Sequence, residues 1–263
     1  LLLPLQHTYQ QVHLALKSRL KFQPYFENFS FSEIRKSAIK KITNLGMPSA
    51  MQMFFEVALF TGAIWLSGLL GTTSQAANQI ALSLASLTFM FAMGLSVAVT
   101  IRVGNQKGLM DYVKLQVVAR SIFLLAILVE TLFAIIFVVF HQYLPQIFVN
   151  VNDMANITET KEVIYIASQL LFVAAVFQIS DGIQVVVLGA LRGLQDVKIP
   201  MYITFVAYWI IGFPISIYLG IYTDLKAVGI WIGLLAGLTA AALFLYIRFA
   251  RLTKKLIVEN DNK

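Results

Sequence analysis

Long apolar stretches, separated by short polar segments, follow one another along most of the chain. A helix crosses the hydrocarbon core of a bilayer with roughly 20 consecutive apolar residues. Six stretches reach that length: residues 46–70, 76–101, 121–140, 163–191, 199–222 and 227–250. Backbone polar groups in lipid must be hydrogen-bonded internally, and the two-residue alternation typical of barrel strands is absent from the sequence. The pattern therefore predicts six membrane-spanning α-helices.

Residues 1–45 have a different pattern. Ser30 and Glu33 have the spacing of a helix-capping box, and after them apolar residues recur every three or four positions. This pattern predicts an amphipathic helix on the cytoplasmic membrane surface, which enters the first span through Gly46 and Pro48. A solvated linker helix explains the same pattern equally well.

Composition agrees with a membrane protein. Hydrophobic residues make up 59% of the 263 residues and charged residues only 13%, whereas soluble chains are about 25% charged. So few charges cannot cover the surface of a folded chain of this length in water, and disorder requires the opposite composition. We therefore predict an all-α integral membrane protein with a linker at 1–45, a six-helix bundle at 46–250 and a basic cytoplasmic tail at 251–263.

Positive charges predict the orientation of the spans. If the spans alternate in direction, all but two of the 20 Lys and Arg residues lie on one side, and only Lys161 and Lys226 lie on the other. Cytoplasmic loops are enriched in Lys and Arg, so both termini are predicted to be cytoplasmic. This bias also accounts for the net charge of +7, and no nucleic-acid partner is predicted.

Three acidic residues, Glu56, Glu130 and Asp181, lie inside predicted spans. Counted from the cytoplasmic ends of their spans, with Arg192 marking the end nearest Asp181, all three lie about 15–17 Å deep, near the bilayer midplane. A carboxyl at this depth is costly and needs a function or a partner. No Lys or Arg falls within a predicted span core. The acids are therefore expected to be protonated or to bind a cation from an aqueous cavity, which predicts a midplane Na⁺ or H⁺ site.

Polar or aromatic residues accompany two of these acids at helical spacing. These supporting residues are Gln52, Gln178, Gln184 and Phe177. Glu56 and Asp181 are therefore the main candidates for the cation site. Glu130 lies among apolar residues, and a protonated carboxyl bonded to a neighbouring helix explains it as well as a cation site does.

Two further features predict details of the helices. Pro214 lies inside the fifth span and is expected to bend it.

Several aromatic residues near span ends are expected to be interfacial anchors. They are Trp65, Tyr143, Tyr165, Tyr218, Tyr222, Trp231 and Tyr246.

Catalytic patterns are absent from the sequence. It contains no cysteine and no HExxH, GxSxG or phosphate-binding GxxxxGK[ST] motif, and its three histidines are distant in sequence from the buried acids. We therefore predict that the chain is not an enzyme. We also expect no cofactor and no metal other than a coupling Na⁺.

Three segments resemble the second half of a multidrug and toxic compound extrusion (MATE) transporter. They are LGMPSAMQMFFEVALF at 45–60, AANQIALSLASLTFMFAMGLSVAVTIRVGNQKG at 76–108 and FQISDGIQVVVLGALRG at 177–193. The resemblance implies that the bundle is one lobe of a two-lobed transporter with a central cavity. It further implies that residues 1–45 link the lobe to a missing N-terminal lobe.

The resemblance also implies roles for particular residues. In the bacterial sodium-coupled branch, the Glu of the FFEV segment and the Asp of the tenth helix form the cation site, and they correspond to Glu56 and Asp181. Phe177 stands where that branch often has Tyr, and Asn78 replaces the usual His. Glu130 corresponds to no site of the family.

The function implied is a cation-coupled antiporter, driven by Na⁺ or H⁺, that exports cationic or amphipathic drugs across the bacterial inner membrane by alternating access. Membrane lipid is an expected partner. One alternative is a related flippase for a lipid-linked saccharide, which predicts cationic residues lining the cavity; no such residue is found in the predicted spans. Another is a half-transporter fragment that does not transport by itself.

Overall fold

The computed structural model describes residues 36–149 and 157–262 of the chain. In these ranges the chain forms α1 to α7, a 3₁₀ helix at Leu144–Phe148 and a π-helical segment at Val206–Gly212 that joins α5 to α6. The α-helices are Lys36–Leu69, Thr72–Gly108, Tyr112–Val139, Ile157–Gly193, Lys198–Phe205, Phe213–Ile221 and Lys226–Asp261.

Six spans are present in the described ranges, as predicted. Helix α5, the π-helical segment and α6 together form one of the six helices that are long and apolar enough to cross a membrane. The protein is therefore an all-α, multi-pass membrane protein.

Several helices extend beyond their apolar stretches. Helix α2 continues to Gly108 and carries Arg102 and Lys107, and α7 continues to Asp261. The backbone hydrogen bonds of a helix do not end where the bilayer ends, so hydropathy alone underestimates helix length. Helix α3 has a sharp start because the side chain of Asp111 accepts a hydrogen bond from the Lys114 N–H at 2.9 Å.

The start of α1 differs from the sequence prediction. The chain divides into two compact units, Leu1–Gly46 and Met47–Lys263, and Gly46 and Pro48 lie inside α1 rather than between two helices. The chain therefore enters the first span as one continuous helix, because a proline can remove one intrahelical hydrogen bond without ending the helix. The predicted capping box at Ser30 and Glu33 lies outside the described residues.

Helix α4 is the central element of the second unit and packs against α2, α3 and α7. Its approach to α2 is close. A Cβ on Gly189 would lie 2.5 Å from the Ser96 carbonyl oxygen, and the Ser96 hydroxyl donates to the Val185 carbonyl at 2.7 Å. Small residues and interhelical hydrogen bonds are what hold helices together in membranes. They fix α4, and with it Asp181, against α2.

The fifth span is irregular next to Pro214, where a bend is predicted. The π-helical segment ends at Gly212, immediately before α6 begins. Pro214 has no N–H to donate to the preceding turn. After the proline, the Ser216 hydroxyl donates to the Ile230 carbonyl at 3.0 Å. Before it, Gly212 lies against Gly237 of α7: a Cβ added to Gly212 would lie 2.9 Å from the Cα of Gly237. These contacts hold α6 against α7.

Candidate functional site

A cavity of about 390 Å³ lies between α1, α2 and α4. The charged residues that line it are Glu56 on α1 and Asp181 and Arg192 on α4. Much of its remaining wall is apolar, with Met53, Phe60, Phe89 and Met93 among the lining residues. The two acids that the sequence selected as main candidates therefore share one cavity.

The two acids differ in exposure. Glu56 is partly exposed, whereas Asp181 is only 6% exposed. Asp181 interacts electrostatically with both Glu56 and Glu130, and its Oδ1 is buried without a hydrogen-bond partner among the described residues. Glu56 thus lies at the open side of the site and Asp181 at its buried side.

Gln178 lies one turn before Asp181 but does not line the cavity. Its Oε1 accepts a hydrogen bond from the Thr88 hydroxyl at 2.9 Å, and its Nε2 donates to the Glu130 carbonyl at 3.4 Å. Gln178 therefore ties α4 to both α2 and α3. Gln184 is fully buried, and neither of its amide atoms has a hydrogen-bond partner within residues 36–149 and 157–262.

Glu130 is buried behind the cavity wall. It is 1% exposed, and a Cβ on Gly182 would lie 2.5 Å from its Cγ. Neither carboxyl oxygen has a hydrogen-bond partner in the described part of the chain, so the expected bond from this carboxyl to a neighbouring helix is not found there. Glu130 does not line the cavity, although it interacts electrostatically with Asp181.

Arg192 was missed as a site residue. It lies in the last turn of α4 rather than in a loop, lines the same cavity as Glu56, and donates from Nη2 to Oε1 of Gln52 at 3.1 Å. Arg192 lies just outside the predicted span 163–191, so the absence of Lys and Arg from the predicted span cores does not exclude a basic residue from the cavity that Glu56 and Asp181 line. A signal was available: Arg192 follows Asp181 by about three helical turns, which places both residues on one face of α4.

Asn78 and Phe177 meet at Trp231. The Trp231 Nε1–H donates to Oδ1 of Asn78 at 2.9 Å, and the Trp231 ring lies 5.1 Å from the Phe177 ring. Trp231 is fully buried, so its expected role as an interfacial anchor is wrong; nearness to a span end does not determine which face of a helix a residue occupies. Because Phe177 lines the cavity, this bond supports the cavity wall.

A second buried aromatic residue, Tyr208, was also missed. It lies in the π-helical segment and is fully buried. Its hydroxyl has no hydrogen-bond partner among the residues that the structure describes, and it interacts electrostatically with Glu56 and Asp181. The spacing of residues in the sequence does not indicate that Tyr208 is buried near the acids, because a π-helix shifts residues away from the faces that α-helical spacing predicts.

Comparison with known proteins gives one consistent family. The MatE family model matches residues 48–218. The chain is 38% identical over 222 residues to multidrug resistance protein MdtK of Yersinia pseudotuberculosis serotype O:1b (strain IP 31758), covering 82% of this chain and 46% of MdtK. It is 34% identical over 241 residues to multidrug resistance protein NorM of Photobacterium profundum, covering 90% of this chain and 50% of NorM.

A solved structure shares the fold. The crystal structure of MATE in the bent conformation superposes with a TM-score of 0.79 at 17% identity, covering 95% of this chain and 53% of that one. The chain thus spans about half the length of the relatives it matches.

Proposed function

The chain belongs to the MatE family, the MATE transporters, and we propose that it forms the C-terminal lobe of a cation-coupled exporter of drugs. The observation that carries this proposal is that Glu56 and Asp181 line one cavity from two different spans. Both relatives named above are multidrug resistance proteins. The location proposed is the bacterial inner membrane, with both termini cytoplasmic and an N-terminal lobe as partner.

The proposed mechanism is alternating access coupled to one cation site. Na⁺ or H⁺ entering from outside binds between Glu56 and Asp181 and compensates the negative charge of the cavity. A bound ligand shifts a conformational equilibrium only by its difference in affinity for the two states. Cation binding therefore drives export if the outward-facing state binds the cation more tightly, and drug release follows in that state.

The cavity wall fits a range of apolar substrates. Met53 and Met93 are unbranched and polarisable, and Phe89 offers a flat aromatic face. Such residues adapt to ligands of different shape. With Glu56 and Asp181 also among its lining residues, the cavity suits cationic and amphipathic drugs.

Neutral replacement of the acids tests the proposal. In the intact transporter that carries this sequence, Glu56→Gln and Asp181→Asn should each abolish coupled export of a fluorescent cation such as ethidium from cells. Glu159→Gln, at an exposed position on the same helix as Asp181, is the matched control and should export normally. Wild-type export by both cavity variants would overturn the mechanism.

The coupling ion is a separate question. We expect either Na⁺ or H⁺, and export by proteoliposomes under a sodium gradient alone and under a pH gradient alone distinguishes them. Export that is unaffected by either gradient would contradict cation coupling while leaving the family assignment intact.

Arg192 gives a specific reason to keep the flippase as a second candidate. A flippase for a lipid-linked saccharide needs cationic groups for its pyrophosphate, and Arg192 does line the cavity. Translocation of a fluorescent lipid-linked saccharide by proteoliposomes tests it. The two acids beside Arg192 favour the drug exporter, because they would repel a pyrophosphate.

A half-transporter that does not transport by itself is the remaining alternative. Separate expression of this chain, alone and together with the N-terminal lobe, tests it, and we expect drug export only when both lobes are present.

A further inference from the structure

The cavity holds an uneven set of charges. Two carboxyls, Glu56 and Asp181, face one guanidinium, Arg192, and the residues of α2 that line the cavity carry no charge. An arginine side chain stays protonated in proteins. When both acids are ionised, the cavity therefore carries a single net negative charge, which one monovalent cation neutralises.

Arg192 is held close to Glu56 without being paired to it. Its Nη2 donates to Gln52, which lies one helical turn before Glu56 on α1 and is 2% exposed. The ion pairs within the described ranges are Arg248–Asp196 and Lys255–Glu259, so Arg192 and Glu56 are more than 4.0 Å apart there. Arg192 also keeps a buried Nε that has no hydrogen-bond partner in the same ranges. The guanidinium therefore has donor capacity left while it interacts electrostatically with Glu56.

We propose that Arg192 is an internal counter-cation of the coupling site, which competes with the transported cation for Glu56 and is restrained by Gln52. Arg192 thereby limits the cavity to one monovalent cation and weakens cation binding enough for release. This inference rests on the proposed function, since it assumes that Glu56 and Asp181 bind the cation.

The physical basis is the low dielectric of a mostly apolar cavity. Two like charges a few ångströms apart repel each other much more strongly there than in water. A cation at Glu56 must therefore bind against the repulsion of the guanidinium. Gln52 sets how strong this competition is, because its amide oxygen holds the guanidinium away from a direct ion pair with the carboxyl.

Two variants should have opposite effects. Arg192→Gln removes the competing charge and should lower the half-saturating Na⁺ concentration at least about tenfold. Gln52→Leu removes the acceptor but keeps the charge. The guanidinium is then free to pair with Glu56, and the half-saturating Na⁺ concentration should rise.

The measurement is equilibrium binding of radioactive Na⁺ to the purified intact transporter at constant pH and ionic strength, with choline replacing Na⁺. Arg192→Lys keeps the positive charge but not the guanidinium that bonds to Gln52, so its half-saturating Na⁺ concentration should stay above that of Arg192→Gln. Arg248→Gln removes a positive charge that is paired with Asp196 outside the cavity and should leave Na⁺ binding unchanged.

Equal half-saturating concentrations for wild type and Arg192→Gln, or no Na⁺ binding by either, would overturn this inference. So would a shift of the Gln52→Leu variant in the same direction as Arg192→Gln. Failure of the proposed function gives a different result: Glu56→Gln and Asp181→Asn would then export normally, whatever Arg192→Gln does to Na⁺ binding.

Discussion

Gly182 on α4 is in direct contact with Glu130 on α3: a Cβ added to the glycine would lie 2.5 Å from Cγ and 3.1 Å from Cδ of the glutamate. The contact places the Glu130 carboxyl against the turn that carries Asp181. Only a residue without a side chain allows the two helices this arrangement.

Gly182→Ala should therefore destabilise the protein by about 1–3 kcal/mol, because the added methyl group overlaps a fully buried side chain. Glu130→Ala removes the side chain that the added methyl group would overlap. The double variant should therefore lose less stability than the sum of the losses in the two single variants. Thermal unfolding of the purified transporter in detergent measures both. Strictly additive effects would show that the contact does not exist.

The Asn78–Trp231 hydrogen bond should contribute measurably to stability. Trp231→Phe leaves the buried Asn78 amide oxygen without its donor and should cost about 1–3 kcal/mol, lowering the unfolding temperature. Trp65→Phe, at a residue that is 65% exposed, should change it little. Combining Trp231→Phe with Asn78→Leu should cost less than the two separate changes together, and a double-mutant cycle without coupling would contradict the bond.

Gly233 should not tolerate alanine. A Cβ there would overlap the backbone of Ser216 on α6, and backbone cannot move aside as the end of a side chain can. We expect Gly233→Ala to reduce the yield of folded protein, measured by size-exclusion chromatography in detergent. A Cβ on Gly94 would have no atom of the described residues within 4 Å, so Gly94→Ala should be neutral or slightly stabilising. Equal yields of both variants would mean that α6 and α7 lie further apart.

Gln178→Leu should separate stability from cation binding. It removes the bonds that tie α4 to α2 and α3, so the unfolding temperature should fall by an amount equivalent to about 1–3 kcal/mol. Because Gln178 does not line the cavity, the half-saturating Na⁺ concentration should stay unchanged, unlike that of Gln52→Leu. A change in Na⁺ affinity at unchanged stability would place Gln178 in the binding site instead.

The number of spans could be predicted from the sequence because apolar length is a direct requirement of the bilayer. Helix ends could not be predicted as well, since α2 continues through Arg102 and Lys107 into a region where no apolar requirement applies. The positions of the prolines also did not predict helix irregularities precisely. Pro48 lies inside α1, and the π-helical segment near Pro214 ends before that residue.

The cost of burying an acid at the midplane selects Glu56, Glu130 and Asp181 alike; the polar neighbours of Glu56 and Asp181 and the resemblance to MATE transporters single out these two, which line one cavity. The spacing of Arg192 and Asp181 places both on one face of α4, but the helix that this face meets could not be predicted, and neither could the inward position of Trp231. Sequence rules assign a basic residue near a span end to the cytoplasmic loops and an aromatic residue there to the membrane interface. Either residue can instead face the interior of the helix bundle. Arg192 lines the cavity and Trp231 bonds to Asn78, and only contacts between helices show this.

The π-helical segment at Val206–Gly212 has a consequence for how the chain length can change during evolution. A π-helical turn contains one residue more than an α-helical turn. Loss of one residue within the segment would therefore convert it to an α-helix and leave the side chains of α5 and α6 facing the same neighbours as now. Loss of one residue at the start of α6 would instead rotate everything beyond it by about 100° and turn Ser216 away from Ile230. This span therefore has one place at which a deletion can be inherited without separating α6 from α7.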